Sequence, residues 1–146
     1  MQALILAVGQ KIPTWYEMAC EAYFVRLQRF MKCHLQEIPK RSIEEEGHKL
    51  LQKISPHDKV IALDIKGESF STSMLAKNIN AWQQEGKRLI FMIGGPDGLS
   101  SACLERANVR WSLSELTFPH TLARVILLEQ LYRATSLLAK HPYHRE

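Results

Sequence analysis

Two stretches of this chain carry residue types that do chemistry at close quarters. The first is Ile93-Gly94-Gly95-Pro96-Asp97-Gly98, which follows the apolar run from Arg88 to Ile93. Glycines at a strand end leave room beside the main chain and permit positive φ, while proline fixes one turn dihedral. In an α/β sheet the carboxyl ends of strands are where ligands bind; an ordinary tight turn is the alternative. The spacing matches neither the phosphate-cradling G-x-x-x-x-G-K-[ST] loop nor the dinucleotide G-x-G-x-x-G fingerprint. The second stretch is the terminal His141-Pro142-Tyr143-His144-Arg145-Glu146. Short charged tails usually fray. Imidazole, phenol and guanidinium groups beside a stiffening proline are, however, the types that stack on bases and contact phosphate.

Further candidates lie near these two. His120, Arg124 and Arg133 fall on or just before the last helical stretch. Asp64, at a strand end, is either a general base or the cap of the following turn, and the cap is favoured. His141 and His144 have only His120 as a third ligand and no carboxylate in a metal-binding pattern, so no metal is expected. Cys103 has no basic partner at a recognisable spacing and is not expected to act as a nucleophile. Three bends, at Leu63-Asp64, Gly94-Gly95-Pro96 and Leu113 to Phe118, are small, apolar and rich in backbone. Brought together, they would suit a flat heterocycle such as adenine.

The elements that must position these groups are those of an ordinary folded chain. Its 146 residues are expected to form one domain, 1–146, and are 46% hydrophobic and 23% charged. The net charge of +4 is compatible with an RNA partner without specifying one. Three unpaired-looking cysteines, Cys20, Cys33 and Cys103, fit a reducing cytoplasm, so a cytoplasmic location is expected. No apolar run approaches the roughly 20 residues that span a bilayer, and no membrane partner is expected.

Residues 3–8, 33–38, 59–64, 88–93 and 108–113 read as strands. Between them, capping boxes Thr14…Glu17 and Ser42…Glu45 predict helix starts, the first helix burying Trp15, Met18, Ala22 and Val25. A third helix spans 71–85 with Met74, Leu75, Ile79 and Trp82 inward, and a short one covers 99–107. Strands alternating with helices predict an α/β domain with a mainly parallel sheet flanked by helices. The last helix, about 121–139, is apolar on most of its circumference, with a polar stripe at Glu129, Arg133 and Ser136. Its second apolar side is expected to meet a second copy in a homodimer; the alternative is a helix slotted into its own domain.

The loop at 93–98, the run Trp111 to His120 (WSLSELTFPH), Leu131-Tyr132-Arg133-Ala134 and the tail 141–146 occur in an order that resembles the RlmH family of SPOUT methyltransferases. The opening Ala7 to Trp15 fits as well, so the resemblance spans the whole chain. It implies methylation of N3 of a pseudouridine in 23S ribosomal RNA of the large subunit or the assembled ribosome, with S-adenosylmethionine as cofactor. It also implies a C-terminal trefoil knot and a homodimer. By the matching motifs, the cofactor would contact Leu63, Gly94, Gly95, Leu113, Ser114, Glu115, Leu116, Thr117 and Phe118. Tyr143, His144 and Arg145 of the tail, reaching across the dimer, would complete the substrate site, with His120, Arg124 and Arg133 as further candidates. A guanidinium, Arg145 or Arg133, would favour the N3 anion, and His144 or water would take its proton. Two departures stand out: the Pro39–Ser42 connector is short and poor in lysine, and Thr121 replaces a second proline after the histidine. The rival readings are a non-catalytic RNA- or ribosome-binding module on the same fold, and a methyltransferase of another RNA.

Overall fold

Side chains of a strand alternate between the two faces of its sheet, and a strand that is apolar on both needs cover on both. In the computed structural model, which describes residues 1–9 and 12–145, β1 (Gln2–Val8) has that environment. Ala3, Ile5 and Ala7 join one core cluster, and Leu4, Leu6 and Val8 join another on the opposite face. With β2 (Lys32–Ile38), β3 (Lys59–Ser69), β4 (Leu89–Ile93) and β5 (Val109–Ser112) it forms a five-stranded sheet in the order β2-β1-β4-β3-β5. Every pairing is parallel, so each connection is a crossover.

Five helices cover the sheet: α1 (Thr14–Leu27), α2 (Ile43–Gln52), α3 (Thr72–Gln84), α4 (Ser101–Arg106) and α5 (His120–Leu138). Helices α1, α3 and α5 supply the first cluster, and α2 and α4 the second. Ser42, Ser71 and Ser100 each accept a hydrogen bond from a first-turn amide of the helix that follows. The Ser42 cap is the one expected. Helix α1 differs: Pro13 is its N-cap, and the Thr14–Glu17 box does not form. The short connector before α2 is held by buried Glu46, whose carboxylate accepts from the Arg41 amide at 2.8 Å.

Three expectations about burial are corrected. Helix α1 buries Cys20 and Leu27, while Trp15, Met18 and Val25 are 61%, 68% and 60% exposed. This helix is apolar on two faces, and α5 takes the Cys20–Leu27 side, so the stripe expected inside faces out. Helix α5 uses its own second side within the chain, lying against both α1 and α3. Eight of its residues are buried, and only Leu138 among its large apolar groups is exposed. Met74 is likewise 45% exposed rather than inward.

Candidate functional site

The three bends meet. Leu63 and Asp64 from β3, the 93–99 loop after β4, and the 112–119 segment after β5 line one cleft of about 1060 Å³. Glycine makes this geometry possible. A Cβ on Gly94 would lie 2.6 Å from the backbone carbon and oxygen of Gly98, so the loop closes on itself only with hydrogen there. Gly98, with φ +82°, donates its amide to the Gly95 carbonyl at 3.0 Å and completes the turn. The third bend is set by Ser112, whose hydroxyl donates to the Ser114 carbonyl at 2.8 Å, and by Ser114, which accepts from the Leu116 amide at 3.0 Å.

The β3 wall has a form the sequence did not announce. Leu63 and Glu68 both pair with Trp111, so residues 64–67 pouch out of the β3–β5 ladder and return to it. Asp64 accepts the Lys66 amide at 3.2 Å, which is the capping role expected of it.

Of the residues expected to contact a cofactor, Leu63, Gly94, Gly95, Leu113, Ser114, Leu116, Thr117 and Phe118 line the cleft. Glu115 is exposed and does not. His120 also lines it, at the start of α5. Burial, then the charges of Arg124 and Lys40, hold its imidazole below the usual range, so it is uncharged at neutral pH. Arg124 is 2% exposed. Its guanidinium bonds Glu37 at 2.7 Å and the Gly9 carbonyl at 2.6 Å, clamping the first turn of α5 to the ends of β1 and β2. A smaller hollow of about 360 Å³ between α1, β2 and α5 is rimmed by Glu17, Glu21 and Glu37, a poor setting for RNA.

The tail groups gather elsewhere. Lys140 takes φ +58°, and the His141 amide reaches back to the Ser136 carbonyl at 2.8 Å while that of Lys140 bonds the Leu137 carbonyl at 3.1 Å. This is a Schellman ending with lysine where glycine is usual, and it folds the tail back along α5. The Tyr143 ring then lies 4.4 Å from that of Tyr132, with the Arg133 guanidinium 4.7 Å from its centroid. Arg133 also meets His144 Nδ1 at 3.3 Å. Arg145 is exposed.

Glu129 organises this cluster, accepting Arg133 Nε at 2.8 Å and the Tyr143 hydroxyl at 3.2 Å. Sequence reading placed it only in a polar stripe; its spacing of four from Arg133 was the available signal. Burial and the Glu129 carboxylate push the Tyr143 phenol up to about 12. Glu129→Gln removes that charge, so in a spectrophotometric titration one of the four tyrosines should ionise closer to the usual 10.

A family model described as predicted SPOUT methyltransferase matches residues 1–144. The chain belongs to the SPOUT methyltransferase family. This SPOUT methyltransferase is 44% identical to the ribosomal RNA large subunit methyltransferase H of Hahella chejuensis, the match covering 100% of both chains. It is 46% identical, at the same coverage, to the protein of that name from Thioalkalivibrio sulfidiphilus. Among solved structures, a probable methylase family protein from Haemophilus influenzae Rd KW20 superposes with a TM-score of 0.60. That match covers 99% of this chain and 70% of the other at 10% identity, and it speaks to the fold alone. Among the described residues no helix is long and apolar enough to cross a membrane.

Proposed function

We propose that this SPOUT methyltransferase moves a methyl group from S-adenosylmethionine to N3 of a pseudouridine in 23S ribosomal RNA of the large subunit, as a homodimer. The observation that carries the reading is the single cleft built from the three bends, in a chain that matches large-subunit rRNA methyltransferases from end to end. Beside the charged groups Asp64, Lys66, Asp97 and Arg110, its lining is largely backbone and small or apolar side chains, which suit an adenine ring and a sulfonium-bearing chain. In this reading the 94–98 loop and the 113–119 segment belong to a trefoil knot through which α5 leaves, an exception to the rule against threaded connections.

When bound, the cofactor supplies a methyl group made electrophilic by its sulfonium. Leu63, Gly94, Gly95, Leu113, Ser114, Leu116, Thr117 and Phe118 would hold it, and alignment with N3 would contribute several kcal/mol to the rate. Arg145 or Arg133, beside the carbonyl next to N3, favours the anion that forms as the proton leaves. That proton passes to water or to an imidazole, His144 of the tail or the uncharged His120 of the cleft wall.

Distance supports the dimer. Tyr143 docks on Tyr132, which lies about 18 Å along α5 from His120 at the cleft. The tail of a protomer therefore sits well away from its own cleft, and the tail of a second copy completes the site. The stripe Trp15, Met18, Ala22 and Val25 on α1, with three large apolar groups at least 60% exposed, is the surface we assign to that contact. Met18→Asp should convert the dimer to a monomer in analytical ultracentrifugation; a monomeric wild type, or a variant that stays dimeric, would remove this surface from the interface.

The deciding experiment incubates the protein and labelled S-adenosylmethionine with large ribosomal subunits, whole ribosomes and free 23S rRNA, followed by mass spectrometry of the nucleosides. Methylpseudouridine is the expected product. Methylation of a different RNA overturns the substrate, and no calorimetric signal with S-adenosylmethionine returns the chain to a non-catalytic binding module.

A further inference from the structure

The pouch at 64–67 carries Lys66 onto the rim of the cleft, and Arg110, on β5, reaches the same rim. The pouch and β5 approach closely at their backbones. A Cβ on Gly67 would lie 2.5 Å from the Arg110 carbonyl carbon and oxygen, so only glycine lets the pouch close against β5 at this point. Both cations are exposed. Among the described residues neither takes part in an ion pair. The nearby Asp64 carboxylate accepts the Lys66 amide, and Asp97 sits on the exposed turn after β4. The Arg110 Nε donates to the Leu104 carbonyl at 3.3 Å, which anchors the guanidinium toward α4 on the outer lip.

Two solvent-facing cations that line the same cleft fit a polyanion that runs past its opening. We propose that Lys66 and Arg110 form a phosphate clamp for the RNA strand flanking the target nucleotide, on the protomer whose cleft holds the methyl donor. This rests on the rRNA methyltransferase reading above. It adds a contact in cis with the cleft to the tail contact supplied in trans, so each site grips its RNA from both protomers.

The test uses the full-length dimer with Lys66→Gln and Arg110→Gln combined, and Lys66→Arg with Arg110→Lys as the charge-keeping control. Steady-state methylation of large ribosomal subunits is followed across a potassium chloride series, and S-adenosylmethionine affinity is read by calorimetry. The Gln pair should raise KM about tenfold, with the loss falling on KM more than on kcat, and lower the slope of log KM against log salt by about 1.5. Its affinity for S-adenosylmethionine should stay within about twofold, and the control should recover most of the salt slope. An unchanged salt slope overturns the clamp. So does a parallel tenfold loss of S-adenosylmethionine affinity, which would give these cations to the donor's carboxylate. A wild type that does not methylate these subunits fails the function itself and not the clamp alone.

Discussion

Gly94→Ala is expected to weaken S-adenosylmethionine binding about a hundredfold and to cost about 1–3 kcal/mol of stability. The new methyl would lie 2.6 Å from the Gly98 carbonyl carbon and oxygen and 3.0 Å from the Leu99 amide nitrogen. These are backbone atoms, so no rotamer change relieves the clash. The loop cannot retreat easily either: Gly98 is held at φ +82° and bonded to Gly95, and a Cβ on Gly95 would already be 3.2 Å from Val8 Cγ1. The strain must move the wall of the cleft. Calorimetry paired with urea denaturation of the same sample measures both effects. Gly86→Ala is the control, because Gly86 has φ +73° and open space around its Cβ position, away from the cleft. It should lose about 1 kcal/mol of stability and keep cofactor affinity. Wild-type affinity in Gly94→Ala would mean that this loop does not hold the donor.

Arg145→Ala should lower kcat about a hundred- to a thousandfold while leaving S-adenosylmethionine affinity unchanged. Its guanidinium is exposed at the end of a tail folded onto α5, distant from the cleft of its own chain. In the homodimer proposed above, the electrostatic role proposed for it falls in the second copy's site. Mixed dimers of Gly94→Ala and Arg145→Ala test this directly. The intact cleft of the Arg145→Ala protomer then receives the intact tail of the Gly94→Ala protomer, and that one site should work. Purified mixed dimers should show about half the wild-type rate, where either parent shows almost none. If the tail acted within its own chain, the mixture would be as inactive as the parents.

The route from sequence to site was uneven, and particular residues show why. The glycine loop and the Leu113–Phe118 bend were legible because glycine, proline and serine act on the backbone locally, wherever the chain runs. The Ser42 cap was legible for the same reason. Thr14 was not, because Pro13 fills the N-cap position and shifts the helix start by one residue. The choice of buried face on α1 failed because both sides are apolar, and periodicity gives a direction only when one side is polar. Glu129 was visible only as a charge on a stripe; its grip on Tyr143 exists because Lys140 turns the chain back, and lysine does not advertise a positive φ. The 64–67 pouch depends on Trp111 pairing with two residues of β3 at once, a register that neither strand encodes alone.

By itself, the sequence determined the alternation of strands and helices, the three backbone bends and the chemical kinds of group available at the tail. All of these follow from preferences acting over a few residues. Only the tertiary structure decided that the bends share a cleft, that Arg124 serves as a buried clamp, and that the tail lies far from the cleft on its own chain. Those are relations between segments distant in sequence, and they are set by sheet order and helix packing, which no local preference contains.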